Sequence, residues 1–208
     1  MMRVAAVFAL GLALAAAPAL AADSPAQPTP EAIGKLHEYA GCLVAKRPKV
    51  VRETLAMDFR DDDYDKAIRD VAGPGNSCIP EGRLSFAPIL VAGAMAERVY
   101  EADFGGRAAH DVLPSDWASR PIEARSNSEY AALCVVQRQP DAVQALLATP
   151  VASDAEKAAF GPLLTALPGC MKPKTQLALN RPYYRAILSL AIYRAAHFFS
   201  TQGTGMGN

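Results

Sequence analysis

Apolar side chains recur along the chain at the spacing of α-helices. Between Glu31 and Arg47, for example, the apolar or small residues include Ile33, Leu36, Ala40, Leu43 and Val44. Steps of three and four residues place such side chains on one face of a helix. Because runs that alternate between apolar and polar residues are almost absent, the pattern predicts an all-α fold.

Proline, glycine and polar clusters divide this pattern into two sets of four predicted helices. The first set covers residues 31–47, 48–57, 61–71 and 88–102, and the second covers residues 128–138, 140–148, 153–167 and 181–199. In the last helix of the first set, residues 89–96 are apolar on nearly every side. Such a helix is surrounded by other elements, so we expect it to be the most deeply buried one.

The four cysteines indicate that one unit occurs twice. Cys42 and Cys78 are 36 positions apart, and Cys134 and Cys170 are also 36 positions apart, so the second pair follows the first at an offset of 92. Other residue pairs keep this offset, which becomes 93 after one inserted residue: Pro48 and Pro140, Val51 and Val143, Leu55 and Leu147, and later Tyr100 and Tyr193. The match predicts a tandem duplication.

Four cysteines allow three disulfide pairings, and the repeat favours Cys42–Cys78 and Cys134–Cys170. The chain has no Cys-x-x-Cys motif, which argues against a thioredoxin-like redox site, and a zinc site normally has ligands closer together. The sequence therefore predicts two tandem four-helix units, each closed by one structural disulfide.

The first residues predict export. Residues 1–3 form a short basic start, residues 4–17 are apolar, and Ala19-Leu20-Ala21 has the small-x-small pattern of a cleavage site. This order is typical of a signal peptide, here residues 1–21. The alternative is a membrane anchor, but the apolar run is shorter than the roughly 20 residues that span a bilayer. We expect a periplasmic or secreted protein with no stable membrane insertion after cleavage.

The rest of the chain divides into five predicted segments. They are a disordered linker (22–30), repeat unit 1 (31–102), a connector (103–125), repeat unit 2 (126–199) and a flexible tail (200–208). The connector contains Trp117, the only tryptophan of the chain. Because a free linker rarely contains a tryptophan, we expect the connector to lie over one unit or in the groove between the units.

Charge and motifs exclude several classes of function. The chain has 21 Lys and Arg residues and 21 Asp and Glu residues, which argues against nucleic-acid binding. No nucleotide-binding motif is present, and we predict no cofactor. The run from Asp61 to Asp65 has the spacing of a calcium loop, but Lys66 and Ala72 occupy the positions of its glycine and glutamate. Since Asp61 matches Ser153 in the repeat, we interpret the run as a helix cap and predict no metal site.

Several residues outside the cysteines are candidates for binding: Trp117, His110, Lys172, Lys174, Arg181 and Arg185. The four basic residues gather around the second disulfide loop and the following helix start, where an anion can bind; the alternative is a solvated basic face. His37 lies on the apolar stripe of the first helix, and we expect it to be packed and hydrogen-bonded. No catalytic residue is predicted, because nothing local indicates a hydrolytic triad.

The segment from Glu38 to Val44 reads EYAGCLV and is followed by Pro48 and by a second cysteine near a Leu-x-Phe sequence. This pattern resembles small exported bacterial proteins that carry the same helical disulfide unit and have no known activity. The resemblance covers both units. It implies a location and a fold, and it transfers no functional residue.

These observations favour a non-catalytic binding or structural role in the periplasm, with a protein, a peptide or an envelope component as partner. One alternative is a hydrolase that acts on envelope material, using residues near Trp117, near His110 and on the faces of the two units. A second is a stress or immunity-type protein that sequesters a partner. A cleft that joins a histidine to a carboxylate with a displaced pKa would favour the enzyme. An exposed apolar or aromatic patch without such a pair would favour binding.

Overall fold

A computed structural model describes residues 28–73, 77–78, 85–177 and 180–203. Every regular element within these ranges is a helix, so the predicted all-α class is confirmed for the described part of the chain. The predicted signal peptide, most of the predicted linker and the end of the predicted tail lie outside the described residues.

The α-helices follow one another along the described part of the chain. They are α1 (Pro30–Lys46), α2 (Pro48–Ala56), α3 (Asp62–Val71), α4 (Pro88–Phe104), α5 (Ala109–Val112), α6 (Asn127–Arg138), α7 (Pro140–Leu147), α8 (Asp154–Ala166) and α9 (Arg181–Gly203). Short 3-10 turns cover Trp117–Ser119 and Leu167–Cys170. Each of the eight predicted helices is present, whereas α5 and the two 3-10 turns were not predicted.

Local chemistry explains where the helices begin. Proline occupies the first turn of α1, α2, α4 and α7, where its missing N–H costs no hydrogen bond. Ser153 accepts a hydrogen bond from the Glu156 backbone N–H at 3.1 Å, and Asn180 accepts one from the Tyr183 N–H at 2.9 Å. These are the caps that the sequence predicts. Asp61 occupies the N-cap position of α3, but its side chain makes no capping bond.

Both predicted disulfides are present. Cys42 on α1 is bonded to Cys78, which follows α3, and Cys134 on α6 is bonded to Cys170 at the end of the second 3-10 turn. No free cysteine occurs among the described residues. Each bond therefore ties the first helix of a set to the segment that follows its third helix.

Helices α4 and α9 lie side by side at the centre of the molecule. α1 packs against α4, and α6 packs against α9. At Gly93 the two central helices are so close that a Cβ atom would lie 2.4 Å from the Cβ of Ala186. We expected α4 to be the most deeply buried helix, but it shares the central position with α9.

The predicted connector packs against the second set of helices. Trp117 is 6% exposed, and its ring meets Phe199 of α9 edge to face with centroids 5.5 Å apart. Gln144 of α7 accepts a hydrogen bond from the Ala109 N–H at 2.8 Å and donates one to the Arg107 carbonyl at 2.7 Å. The tryptophan is therefore part of the hydrophobic core.

Candidate functional site

Two cavities lie on different faces of α9. The first, called the polar cavity here, has a volume of about 220 Å³, and its polar lining residues include His37, Glu97, Glu156, Arg185 and Ser189. The second, called the aromatic groove, has a volume of about 290 Å³, and its apolar lining residues include Leu55, Met57, Phe59, Tyr64, Ile89, Tyr183, Ile187 and Leu190. Both cavities are lined by residues from α4 and α9 together with residues from other helices.

Arg185 is the centre of a buried ion cluster in the polar cavity. Its Nε and Nη2 donate to the two carboxylate oxygens of Glu97, each at 2.8 Å, and its Nη1 donates to Glu156 Oε1 at 2.9 Å. Further hydrogen bonds reach Thr149 and the Leu147 carbonyl. The side chains of the three charged residues are at most 6% exposed. The cluster therefore connects α4, α8 and α9 away from water.

The charges of this cluster stabilise one another against burial. Burial alone would raise the pKa of Glu97, but the hydrogen bonds from Arg185, together with the nearby imidazole of His37, outweigh it and hold that pKa at about 2. In the same way, burial would lower the pKa of Arg185, and the hydrogen bonds to Glu97 raise it. Two carboxylate side chains therefore share one guanidinium in this cluster.

His37 on α1 is the fourth polar group of the cavity floor. It is 8% exposed, and its Nδ1 lies 3.6 Å from Glu97 Oε1, beyond ordinary hydrogen-bond distance. That nitrogen has no hydrogen-bond partner among the described residues. His37 is buried, as expected for a packed histidine, but the expected hydrogen bond is missing at Nδ1.

The cavity joins a histidine to a carboxylate with a displaced pKa, which is the feature that would favour an enzyme. The direction of the displacement matters, however. A carboxyl group with a pKa of about 2 stays ionised near neutral pH and does not exchange protons efficiently there. The hydroxyl of Ser189 donates to the Arg185 carbonyl at 2.9 Å. The arrangement therefore suits the binding of charge better than acid–base or nucleophilic catalysis.

The aromatic groove is bordered by the loop between α2 and α3. In this loop Asp58 accepts hydrogen bonds from the Arg60 side chain. These hydrogen bonds hold the pKa of Asp58 well below its usual range. Arg125 donates to the Met57 carbonyl at 3.2 Å and lies 3.4 Å from Asp58. These contacts fix the loop, and Phe59 within it remains 40% exposed.

A second set of paired charges also lines the aromatic groove. Arg194 of α9 bonds to Glu129 and donates to the Glu123 carbonyl. The other carboxylate oxygen of Glu129 accepts from the Arg125 backbone N–H at 2.6 Å. Since these charges are paired with one another, the lining available to a partner is mainly apolar and aromatic.

The predicted binding residues occupy three different places. Arg181 and Arg185 both line the polar cavity, with Arg181 exposed and the guanidinium of Arg185 fully engaged in the ion cluster. Trp117 lines a third cavity of about 320 Å³ together with Tyr130, and Lys172 lies over the Tyr130 ring at 4.8 Å.

The remaining predicted binding residues lie at the surface. Lys174 is exposed. His110 is exposed and pairs with Asp141 at 3.0 Å, and that hydrogen bond raises its pKa. The structure therefore does not gather the six candidates into one site.

Glu97 and Glu156 were not among the predicted site residues. The sequence does contain one signal for the cluster: Glu97 and Arg185 are opposite charges, and each lies within an otherwise largely apolar helix. Charged residues are almost never fully buried unless they are paired. Two such residues in two largely apolar helices therefore indicate an ion pair between those helices.

Comparison with protein-family models, with curated proteins and with solved structures found no match to the chain. Among the described helices, none combines the length and the apolar character needed to cross a membrane. Within the same residues, no three His, Cys, Asp or Glu side chains are grouped so that they could hold a metal ion.

Proposed function

We propose that this chain is a non-catalytic binding protein of the bacterial periplasm, and that it takes an apolar segment of a partner peptide or protein in the aromatic groove. The groove itself is the observation that carries this proposal. Its lining combines exposed Phe59 with Met57, Tyr64, Tyr183 and Leu190. Aromatic and methionine side chains are enriched where proteins bind one another.

The size and the charges of the groove favour a peptide side chain as occupant. Its volume of about 290 Å³ is at the lower end of the roughly 300–1,000 Å³ of ligand pockets, which suits a large side chain better than a bulky ligand. Arg125, Arg194, Asp58 and Glu129 are already paired. An uncharged apolar side chain enters without breaking these pairs.

Export to the periplasm is supported by the sequence of residues 1–21 and by the two disulfides. Disulfides persist in oxidising compartments and are rare in the cytosol of most bacteria. The resemblance to small exported bacterial proteins with a helical disulfide unit points to the same location.

A tandem duplication explains the order of the helices. Both disulfides join residues 36 positions apart, and α2 and α7 both begin at a proline. Gly93 and Ala186 correspond at the offset of 93, and they face each other where α4 meets α9. Contact between equivalent residues is expected where two related units pack around a local twofold axis.

The same offsets relate the two cavities. Residues that line the polar cavity correspond to residues that line the aromatic groove: Ile33 to Arg125, His37 to Glu129, Leu90 to Tyr183, Ala94 to Ile187 and Glu97 to Leu190, while Glu156 corresponds to Tyr64. We infer that the duplication produced two versions of one cavity. One version became polar and the other apolar, which suits a scaffold whose function is binding.

The hydrolase remains the second candidate, and the His37–Glu97 pair is the observation in its favour. Turnover of envelope material that disappears in the His37→Gln variant would support it. The third alternative is a protein that sequesters a partner. It is a form of the binding proposal in which the apolar segment in the aromatic groove is part of a partner protein.

A peptide selection tests the proposal. Random peptides displayed on phage are selected on the immobilised protein, and affinities of enriched peptides are measured for the wild type, Phe59→Ala and Leu164→Ala. We expect enrichment of peptides with a large aromatic or aliphatic residue and at least a tenfold loss of affinity for Phe59→Ala, because burial of such a side chain contributes about 1.5–3 kcal/mol. Leu164 is the matched control, since it is 53% exposed on α8 and lies outside the groove.

Two results would contradict the proposal. One is a selection that enriches no apolar peptide. The other is an equal loss of affinity in Phe59→Ala and Leu164→Ala, because that would show that the peptides bind exposed apolar residues without preference for the groove.

A further inference from the structure

We propose that the polar cavity binds a primary ammonium group, carried either by a small free amine or by a lysine side chain. This site is separate from the aromatic groove, so the inference goes beyond the proposed function. It depends on three properties of the cavity: its two buried carboxylates, its unused acceptors and its apolar walls.

The buried cluster contains two carboxylate side chains and one guanidinium. Arg185 bonds to both Glu97 and Glu156, and the side chains of all three are almost completely buried. Buried charge that is not neutralised is costly in free energy. Arg181, the other cation among the lining residues, is exposed. A cationic ligand in the cavity would therefore bring a second cationic group to a floor that holds two carboxylates.

The groups that are not fully used are hydrogen-bond acceptors. Glu156 accepts one bond at Oε1 from Arg185 and one at Oε2 from the Ala152 N–H at 3.1 Å, and each carboxylate oxygen can accept a second. His37 Nδ1 has no hydrogen-bond partner among the described residues. In the tautomer that leaves Nδ1 without a proton, this nitrogen is an acceptor. A primary ammonium group supplies three donors to such a floor.

The walls of the polar cavity favour an organic cation over a bare metal ion. Ile33, Leu36, Leu90 and Ala94 line it above the charged floor, and they would pack against a short alkyl chain. The acidic and histidine side chains among the described residues form no group of three that could hold a metal ion. A volume of about 220 Å³ accommodates a small ligand of this kind.

Calorimetric titration of the full chain tests the site. The probes are n-pentylamine, its uncharged analogue 1-pentanol, and the capped peptide acetyl-Gly-Lys-Gly-amide. We expect saturable binding of n-pentylamine that is at least tenfold tighter than that of 1-pentanol. Binding of the lysine peptide with similar affinity would identify a partner's lysine as the source of the ammonium group, whereas its failure to bind would identify free amines. Both outcomes support the site.

Glu156→Gln and Glu129→Gln form a matched pair of variants. Each removes one carboxylate that bonds to an arginine of α9, and each glutamate stands three residues after a serine N-cap, where glutamine also functions. We expect Glu156→Gln to weaken n-pentylamine binding at least tenfold and Glu129→Gln to leave it within twofold. Should Glu156→Gln fail to fold, Leu90→Trp, which obstructs the cavity wall, is expected to abolish binding.

The inference is overturned if 1-pentanol binds as tightly as n-pentylamine, or if n-pentylamine does not bind. It is also overturned if Glu129→Gln loses as much affinity as Glu156→Gln, or if a folded Leu90→Trp variant binds like the wild type. None of these results bears on peptide binding in the aromatic groove, so the two proposals fail separately.

Discussion

At the scale of single residues, the contact between the central helices depends on one glycine. A Cβ atom at Gly93 would lie 2.4 Å from Ala186 Cβ and 2.9 Å from its carbonyl oxygen. The backbone atoms of Ala186 cannot rotate away as a flexible side chain does. Gly93 is therefore required for α4 and α9 to approach as closely as they do.

Gly93→Ala is expected to destabilise the protein, although alanine is a better helix former. Overpacking costs about 1–3 kcal/mol or more, which exceeds the gain of up to about 1 kcal/mol in helix propensity. Gly34 in α1 provides the control, because a Cβ atom there would meet no atom within 4 Å. Gly34→Ala should raise the free energy of unfolding by about 0.5–1 kcal/mol. Urea denaturation measures both effects, and a Gly93→Ala variant as stable as Gly34→Ala would show that the helices do not approach this closely.

The residues of the polar cavity show what the sequence can and cannot reveal. Glu97 and Arg185 are recognisable as unusual because each is a charge in a buried helix. Their pairing with Glu156 and His37 could not be predicted, since these residues come from four helices that are far apart along the chain. The exposed candidates Lys172 and Lys174 are related to Arg185 only by being close to it in the sequence.

At the scale of helices, the ion cluster links α4, α8 and α9, and α1 adds His37. The contribution of Glu97 to stability follows from its pKa, which is about 2 in the folded chain instead of its ordinary 4.5. Since the folded-state pKa is lowered, this stabilisation is present above pH 4.5 and is lost as the pH falls toward 2. The shift corresponds to about 3 kcal/mol.

We expect Glu97→Gln to lower the free energy of unfolding at pH 7 by about 3–5 kcal/mol, because one partner of a buried pair is removed. The difference from the wild type should shrink as the pH is lowered from 4.5 to 2. Glu101→Gln on the same helix is the control, as its side chain is 66% exposed. Urea denaturation at several pH values measures the difference. If the difference in free energy of unfolding between the wild type and Glu97→Gln stays constant down to pH 2, the assigned pKa of Glu97 is contradicted.

The positions of the long helices could be predicted because apolar periodicity and proline mark them directly. α5 has only four residues and the turn at Trp117 only three, which is too short for a helical period to be visible. The Asp61 cap was predicted from the match with Ser153. The structure places Asp61 at the N-cap without a side-chain hydrogen bond. The acidic residues of the first turn therefore stabilise α3 only through their charge interaction with the helix dipole.

At the scale of the whole molecule, the cavities could not be predicted from the sequence, although matching positions in its two halves could be identified. Matching residues 31–102 with residues 126–199 gives equivalent positions, but it does not reveal which of them face each other. The two disulfides could be predicted because each closes within one set of helices. The cavities could not, because each is lined by helices from both sets.

The most direct test of the binding proposal is methyl NMR of the full chain during titration with a selected apolar peptide. We predict chemical-shift changes at Met57, Ile187 and Leu190, which line the aromatic groove, and none at Leu164 on α8. Changes confined to Leu164, or to Leu133 beside Trp117 in the third cavity, would contradict the account by placing the peptide elsewhere.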